Sequence, residues 1–115
     1  MSQSFDITLN NSCAVIHLNT TILSDSGIAE TLAMVDKHIE EGTSNWILDG
    51  SSLAYCNSIG LNLFIRVLTK ARNKGGECSV AAIQPTVQKL MNLSKLNEIF
   101  TSFASVTDAV ASFNK

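Results

Sequence analysis

Side chains that could take part in catalysis are few in this sequence of 115 residues. The two histidines, His17 and His38, do not occur with a serine or cysteine in any motif typical of nucleophilic catalysis. Asp49 follows an apolar run, but no second acid lies near it in the sequence to complete an acid–base pair. The alternative is an aspartate that orders the following loop. We therefore predict that the protein is not an enzyme, unless Asp49 and His17 meet in a deep pocket.

The cysteines give no sign of a metal site or of a disulfide framework. Cys13, Cys56 and Cys78 are odd in number and widely spaced, and no paired Cys or Cys–His motif is present. Reduced thiols in a reducing compartment are therefore expected. Nothing in this pattern predicts a bound metal or cofactor.

One hydroxyl group lies beside the start of a predicted helix. The polar segment 49–57 runs directly into an amphipathic stretch, which places Asn57 or Ser58 at or next to the N-cap. A phosphate on Ser58 would add about −1.5 to −2 charges. The free amides and the dipole of a helix N-terminus stabilise such an anion. Phosphorylation would then change an exposed surface without unfolding the domain, as a binding switch requires; a simple capping serine is the alternative.

The elements that position these residues follow from the hydrophobic periodicity, which changes several times along the chain. Strands are predicted over 5–9, 13–18, 46–48 and 78–83, with an edge strand within 96–103. Helices are predicted over 28–39 and 61–74, from Pro85, and around 106–113, with a loop over 50–57. The order β-β-α-β-α-β-α-β-α predicts a single α/β domain over 1–115. Its sheet should be mixed and mostly parallel, with four to five strands and about four helices.

Charge and hydropathy exclude several classes of partner. The net charge is −2 and the sequence pI is about 5.5, without the clustered Lys and Arg that nucleic-acid binding requires. The same charge gives no attraction to anionic lipid. No apolar stretch approaches the roughly 20 residues of a membrane span, and the N-terminus lacks the pattern of a signal peptide. These features predict a cytoplasmic protein that binds no nucleic acid and does not insert into membranes.

Four segments of the chain resemble the STAS domain family, and within it the bacterial anti-sigma factor antagonists. Segment 45–49 resembles the central strand that ends in Asp, and 53–61 resembles the loop in which an aromatic residue precedes Asp-Ser-Ser/Thr-Gly-Leu. Segment 70–77 resembles the end of the following helix, and 83–91 the next strand–helix junction. The resemblance covers nearly the whole chain and implies a single STAS domain over 1–115.

The resemblance also implies a regulatory cycle. The unphosphorylated protein would bind an anti-sigma factor that is also a serine kinase, which frees the sigma factor. Phosphorylation at Ser58 would end this binding, and a PP2C-type phosphatase would reset the protein. The ATP belongs to the partner, so no cofactor is expected here. The predicted partner-binding residues are Asp25, Tyr55, Asn57, Ser58, Ile59, Gly60, Asn62 and Leu63.

Three features of this sequence leave alternatives open. Asn57 stands where the family usually has Asp, and Ile59 where a second Ser or Thr is usual. These departures are compatible with a non-phosphorylated STAS scaffold subunit of a larger complex, such as a lipid-transport ATPase. Leu63 falls off the predicted apolar stripe, so it is either an exposed partner contact or buried against a neighbouring helix.

Overall fold

A computed structural model describes residues 6–10, 13–19, 25–54 and 56–113. The predicted order of strands and helices is confirmed, with one additional 3-10 turn. The elements are β1 (Asp6–Asn10), β2 (Cys13–Asn19), α1 (Asp25–Glu40), β3 (Asn45–Ser52), α2 (Ser58–Asn73), β4 (Cys78–Ala81), α3 (Pro85–Leu93), the 3-10 turn (Leu96–Glu98), β5 (Ser102–Phe103) and α4 (Val106–Phe113).

The five strands form one mixed sheet in which spatial order equals chain order, β1-β2-β3-β4-β5. The strand pair β1–β2 is antiparallel, and every later pair is parallel. Each parallel pair requires a helical crossover, and crossovers of one hand that step in one direction place their helices on the same face. Accordingly α1, α2 and α3 pack against one face of the sheet, and their apolar side chains form the main core.

The central strand β3 is buried on both faces, as its short apolar run predicted. Trp46 and Leu48 point into the main core, whereas Ile47 points to the opposite face. None of the three side chains is exposed. Burial on both sides is typical of a strand flanked by parallel neighbours with helices above and below.

The second face of the sheet is covered by α4, which is the helix that follows β5. Ala109 of α4 is fully buried against a smaller cluster that includes Cys13, Val15, Ile47 and Ala81 of the strands. Two residues further along β2 and β3, the same face carries His17 and Asp49 in place of apolar side chains. The second face is therefore apolar beneath α4 and polar toward the carboxyl ends of the parallel strands.

The end of α2 is set by two glycines, as predicted. Gly75 has φ +79°, which favours glycine, and the Gly76 amide donates to the carbonyl of Ala71 over 2.9 Å. A Cβ on Gly76 would overlap the carbonyl oxygen of Ser44. The two glycines thus end the helix and allow the chain to pass close to the segment that leads into β3.

Three details differ from the sequence-based prediction. The predicted loop 50–57 begins later, because β3 continues through Ser52, which pairs with Asn19 of β2. The predicted strand 78–83 ends at Ala81, since Ala82 has φ +54° and turns the chain. The apolar face of α2 is rotated relative to the prediction, so that Leu63 is buried and Ile65 is 37% exposed.

Candidate functional site

The start of α2 has the geometry that was predicted around Ser58. Asn57 is the N-cap, with φ −123° and ψ −174°, and its Oδ1 accepts a hydrogen bond from the Gly60 amide over 3.1 Å. Ser58 is the first helical residue and is exposed. The prediction that Asn57 or Ser58 lies at or beside the N-cap is confirmed.

The electrostatics of this helix end suit an anion. The first helical hydrogen bond is donated by Leu61 to the carbonyl of Asn57, so the amides of Ser58 and Ile59 have no acceptor within the helix. The first turn of α2 contains no acidic residue. The positive end of the helix dipole is therefore not neutralised by a carboxylate in that turn, and a phosphate on Ser58 would meet free amides.

Ser58 borders an open cavity of about 500 Å³ between α1 and α2. The lining includes three predicted site residues besides Ser58, namely Ile59, Asn62 and Leu63. It also includes Ile28 of α1 and Arg66 of α2, which the sequence analysis did not select. Arg66 could have been found from its spacing, because it follows Asn62 by four residues and so lies on the same side of the helix.

Two of the predicted partner-binding residues are buried. Leu63 is 1% exposed and belongs to the main core, so the prediction that it is exposed is wrong, and burial is the alternative that holds. Gly60 is also buried, and its amide is already bonded to Asn57. By contrast, Ile59 is 43% exposed beside Ser58. Among the predicted site residues whose side chains are described, the accessible ones are therefore Asn57, Ser58, Ile59 and Asn62.

Two further predicted site residues have no described side chain. Tyr55 lies outside the described residues, and Asp25 is described only as the first residue of α1. The helix places Asp25 about one turn before Ile28, which borders the same cavity as Ser58. The backbone thus brings the start of α1 close to the start of α2.

A second polar group lies on the opposite face of the sheet. Asp49 Oδ2 is 2.7 Å from His17 Nδ1, and Asp49 Oδ1 accepts from the Ser51 amide over 2.9 Å. The other ring nitrogen of His17 is 3.0 Å from Thr8 Oγ1. Burial pushes the Asp49 pKa upward, but the hydrogen bonds from Ser51 and His17 outweigh it and hold the pKa below its usual value.

The His17–Asp49 pair is relevant to the alternative prediction that the protein is an enzyme. Sequence alone did not pair His17 with Asp49; the parallel register of β2 and β3 does so. The bond to Ser51 ties Asp49 to the last residues of β3, which lead into the loop that the alternative prediction expected Asp49 to order. Neither of the two cavities described between α1 and α2 is lined by His17 or Asp49.

The three cysteine thiols are not activated nucleophiles in this fold. All three thiols are free, and burial raises the pKa of each, so none is an activated thiolate. Within the described ranges, no cluster of three or more His, Cys, Asp or Glu side chains could hold a metal ion. In the same part of the chain, no helix combines the length and the hydropathy that crossing a bilayer requires.

Comparison with known proteins agrees with this architecture. An anti-sigma factor antagonist from Mycobacterium paratuberculosis superimposes with a TM-score of 0.77 at 17% identity, covering 99% of this chain and 96% of that one. SpoIIAA in its unphosphorylated form gives 0.81 at 19% identity, with 96% of each chain covered. Phosphorylated SpoIIAA from Bacillus gives 0.73 at 18% identity, covering 95% and 98%. At these identities the likeness shows the fold.

The family follows from the sequence match. A family model described as the STAS domain matches residues 4–109, which is nearly the whole chain. That span contains the sheet, the first three helices, the cavity beside Ser58 and the first residues of α4. The chain belongs to the STAS domain family.

Proposed function

We propose that this protein is an anti-sigma factor antagonist that acts in the bacterial cytoplasm through a phosphorylation switch at Ser58. The unphosphorylated form binds an anti-sigma factor serine kinase and thereby releases the sigma factor. Phosphorylation at Ser58 ends this binding, and a PP2C-type phosphatase restores the binding form. The protein is a regulatory binding partner and not an enzyme.

The observation that carries the proposal is the position of the Ser58 hydroxyl. It is exposed at the first residue of α2, next to an N-cap that is already satisfied by Asn57. A phosphate there gains from the helix dipole and disturbs no buried contact. We therefore expect the domain to keep the same fold whether or not Ser58 is phosphorylated.

Ser58 depends on its partner for the chemistry of phosphorylation. Among the residues whose side chains the structure describes, no carboxylate or histidine is hydrogen-bonded to its hydroxyl as a general base would be. In the proposed cycle the kinase contributes the base and the ATP. Under this proposal the residues beside Ser58, which are Asn57, Ile59 and Asn62, need only to bind the kinase.

Release of the partner follows from charge and shape. A dianion on Ser58 would face the kinase beside Ile59, whose exposed side chain would otherwise be covered in the complex. We expect phosphate to weaken binding by ~2 kcal/mol or more through repulsion and lost complementarity. The kinase would therefore dissociate from the product of its own reaction.

The test compares four forms of the protein for binding to the purified cognate kinase by isothermal titration calorimetry. Wild type and Ser58→Ala should bind, whereas Ser58→Asp should bind at least about tenfold more weakly. Ser102→Asp, an exposed site on β5, is the matched control for added charge and should bind as wild type does. Equal affinities of Ser58→Asp and Ser58→Ala would show that the switch is wrong.

A parallel assay separates the switch from a scaffold role. Incubation with the kinase and ATP, followed by mass spectrometry, should place one phosphate on wild type and none on Ser58→Ala. Absence of phosphate from wild type would instead favour the non-phosphorylated scaffold of a larger complex. Asn57 and Ile59, where the family usually has Asp and Ser or Thr, are the residues that motivate this comparison.

A further inference from the structure

The cavity beside Ser58 is one part of a longer groove between α1 and α2. A second open cavity, of about 300 Å³, is lined by Leu32 of α1 and by Arg66, Thr69, Lys70 and Asn73 of α2. Arg66 borders both cavities, so they meet at this residue. We call the two cavities together the α1–α2 groove. Over the 16 residues of α2, the groove follows a helix roughly 24 Å long.

The charges along the α1–α2 groove are not balanced. Lys70 is neutralised by Asp36, with 2.8 Å between Nζ and Oδ1. Arg66 forms no ion pair or hydrogen bond with any other residue that the structure describes. Among the lining residues whose side chains the structure describes, none is acidic. The groove therefore presents one uncompensated guanidinium at its centre.

The surroundings of Arg66 are apolar on the side toward Ser58. Ile28, Ile59 and Leu63 form that part of the lining, and Ile59 exposes 43% of its surface. Because Asp36 already neutralises Lys70, the described lining offers no second unpaired cation beside Arg66, as nucleic-acid phosphates would require. It is suited to a protein segment that offers one carboxylate and one apolar side chain.

Arg66 borders the same cavity as Ser58 but lies just over two turns further along α2. Eight residues separate them along α2, a rise of roughly 12 Å. A phosphate on Ser58 would also be drawn toward the free amides at the helix start, away from Arg66. In the unphosphorylated form the guanidinium is therefore available to a partner.

We propose that Arg66 is the specificity-determining contact of the α1–α2 groove, where it binds a carboxylate of the partner kinase while an apolar side chain of the same segment occupies the cavity beside Ile59. This inference rests on the proposed function, since the occupant is the kinase that recognises Ser58. The phosphate then acts at one end of the contact surface, and Arg66 selects the partner at its middle.

The test uses the full chain and the purified cognate kinase, with dissociation constants measured at two salt concentrations. Arg66→Glu should weaken binding at least about tenfold, and Arg66→Gln less, with a smaller loss of affinity on raising salt than wild type shows. Lys89→Glu on α3, an exposed cation outside the groove, is the matched control and should bind as wild type. Circular dichroism verifies that each variant is folded.

A charge-reversal scan identifies the opposing residue. One surface acid of the kinase, changed to Lys, should restore at least part of the binding that Arg66→Glu loses. If Arg66→Glu binds as tightly as Lys89→Glu while Ser58→Asp still weakens binding, the inference is wrong and the proposed switch at Ser58 is supported. If no kinase variant restores binding to Arg66→Glu, a carboxylate partner is excluded. If wild type binds no kinase at all, the proposed function and this inference are both overturned.

Discussion

At the scale of single residues, the Asp49 carboxylate joins three parts of the chain. It is bonded to His17 on β2 and to the Ser51 amide at the end of β3, and His17 in turn contacts Thr8 on β1. The carboxylate is nearly buried, so its stability contribution depends on keeping these partners. The end of β3 leads toward the loop before Ser58.

The lowered pKa of Asp49 gives a pH-dependent prediction. A carboxyl whose pKa is lower in the folded state stabilises the fold above the pKa of the unfolded chain, about 3.9, and loses that contribution as pH falls through its folded pKa. We expect Asp49→Asn to lower the free energy of unfolding by about 1–2 kcal/mol at pH 7. Urea denaturation at pH 7 and near pH 3 should show this difference shrinking in acid.

The control for this prediction is Asp36→Asn, which makes the same chemical change in an exposed ion pair with Lys70. Exposed pairs contribute little, so we expect a loss of at most about 0.5 kcal/mol. A difference between wild type and Asp49→Asn that stays constant with pH would mean that the charge of Asp49 does not stabilise the fold.

At the scale of elements, α2 connects the site to the core. Its first turn presents Ser58 to solvent, while Phe64, Val67 and Leu68 bury the middle of the helix against the sheet. Asn57 fixes the point at which the helix starts, and therefore the direction in which Ser58 projects. The cap would thus be a structural requirement of the proposed switch as well as a source of stability.

Removal of the cap should destabilise this element measurably. Asn57→Ala leaves the Gly60 amide without its acceptor, and we expect a loss of about 1 kcal/mol in the free energy of unfolding. Asn57→Asp keeps the acceptor and adds a negative charge at the positive end of the helix dipole, so its stability should equal or slightly exceed that of wild type. Thermal denaturation of the three proteins provides the comparison, and equal stability of Asn57→Ala and wild type would contradict a capping role.

At the scale of the whole molecule, the two faces of the sheet are covered unequally. Three crossover helices pack on one face, and α4 alone among the described helices covers the apolar part of the other. Ala109 is the fully buried residue of α4, where the helix lies against the sheet. The α1–α2 side thus combines the main core with the groove that we propose binds the partner.

The packing of α4 can be tested with a pair of substitutions on one helix. Ala109→Asp would bury a carboxylate without a partner, and we expect a loss of about 3 kcal/mol or more, or failure to fold. Ala111→Asp makes the same change at an exposed position, where about 0.5 kcal/mol is expected. Chemical denaturation measures both, and comparable losses at the two positions would show that α4 does not pack as described.

The sequence by itself determined the features that depend on neighbouring residues. The order of strands and helices, the glycine stop after α2, the burial of β3 and the cap at Asn57 follow from periodicity and from backbone hydrogen bonding, which are local. The exposed position of Ser58 follows from the same cap. These features could therefore be predicted from the order of the amino acids alone.

Tertiary packing decided the rest. His17 is hydrogen-bonded to Asp49 only because parallel pairing sets β2 and β3 in register. Arg66 and Ile28 line the same cavity only because α1 lies beside α2. Leu63 is buried because the sheet and α1 determine which face of α2 turns inward, and several apolar residues around that helix left the choice open. Contacts between residues far apart in the chain depend on how the elements pack, and no spacing along a single element specifies them.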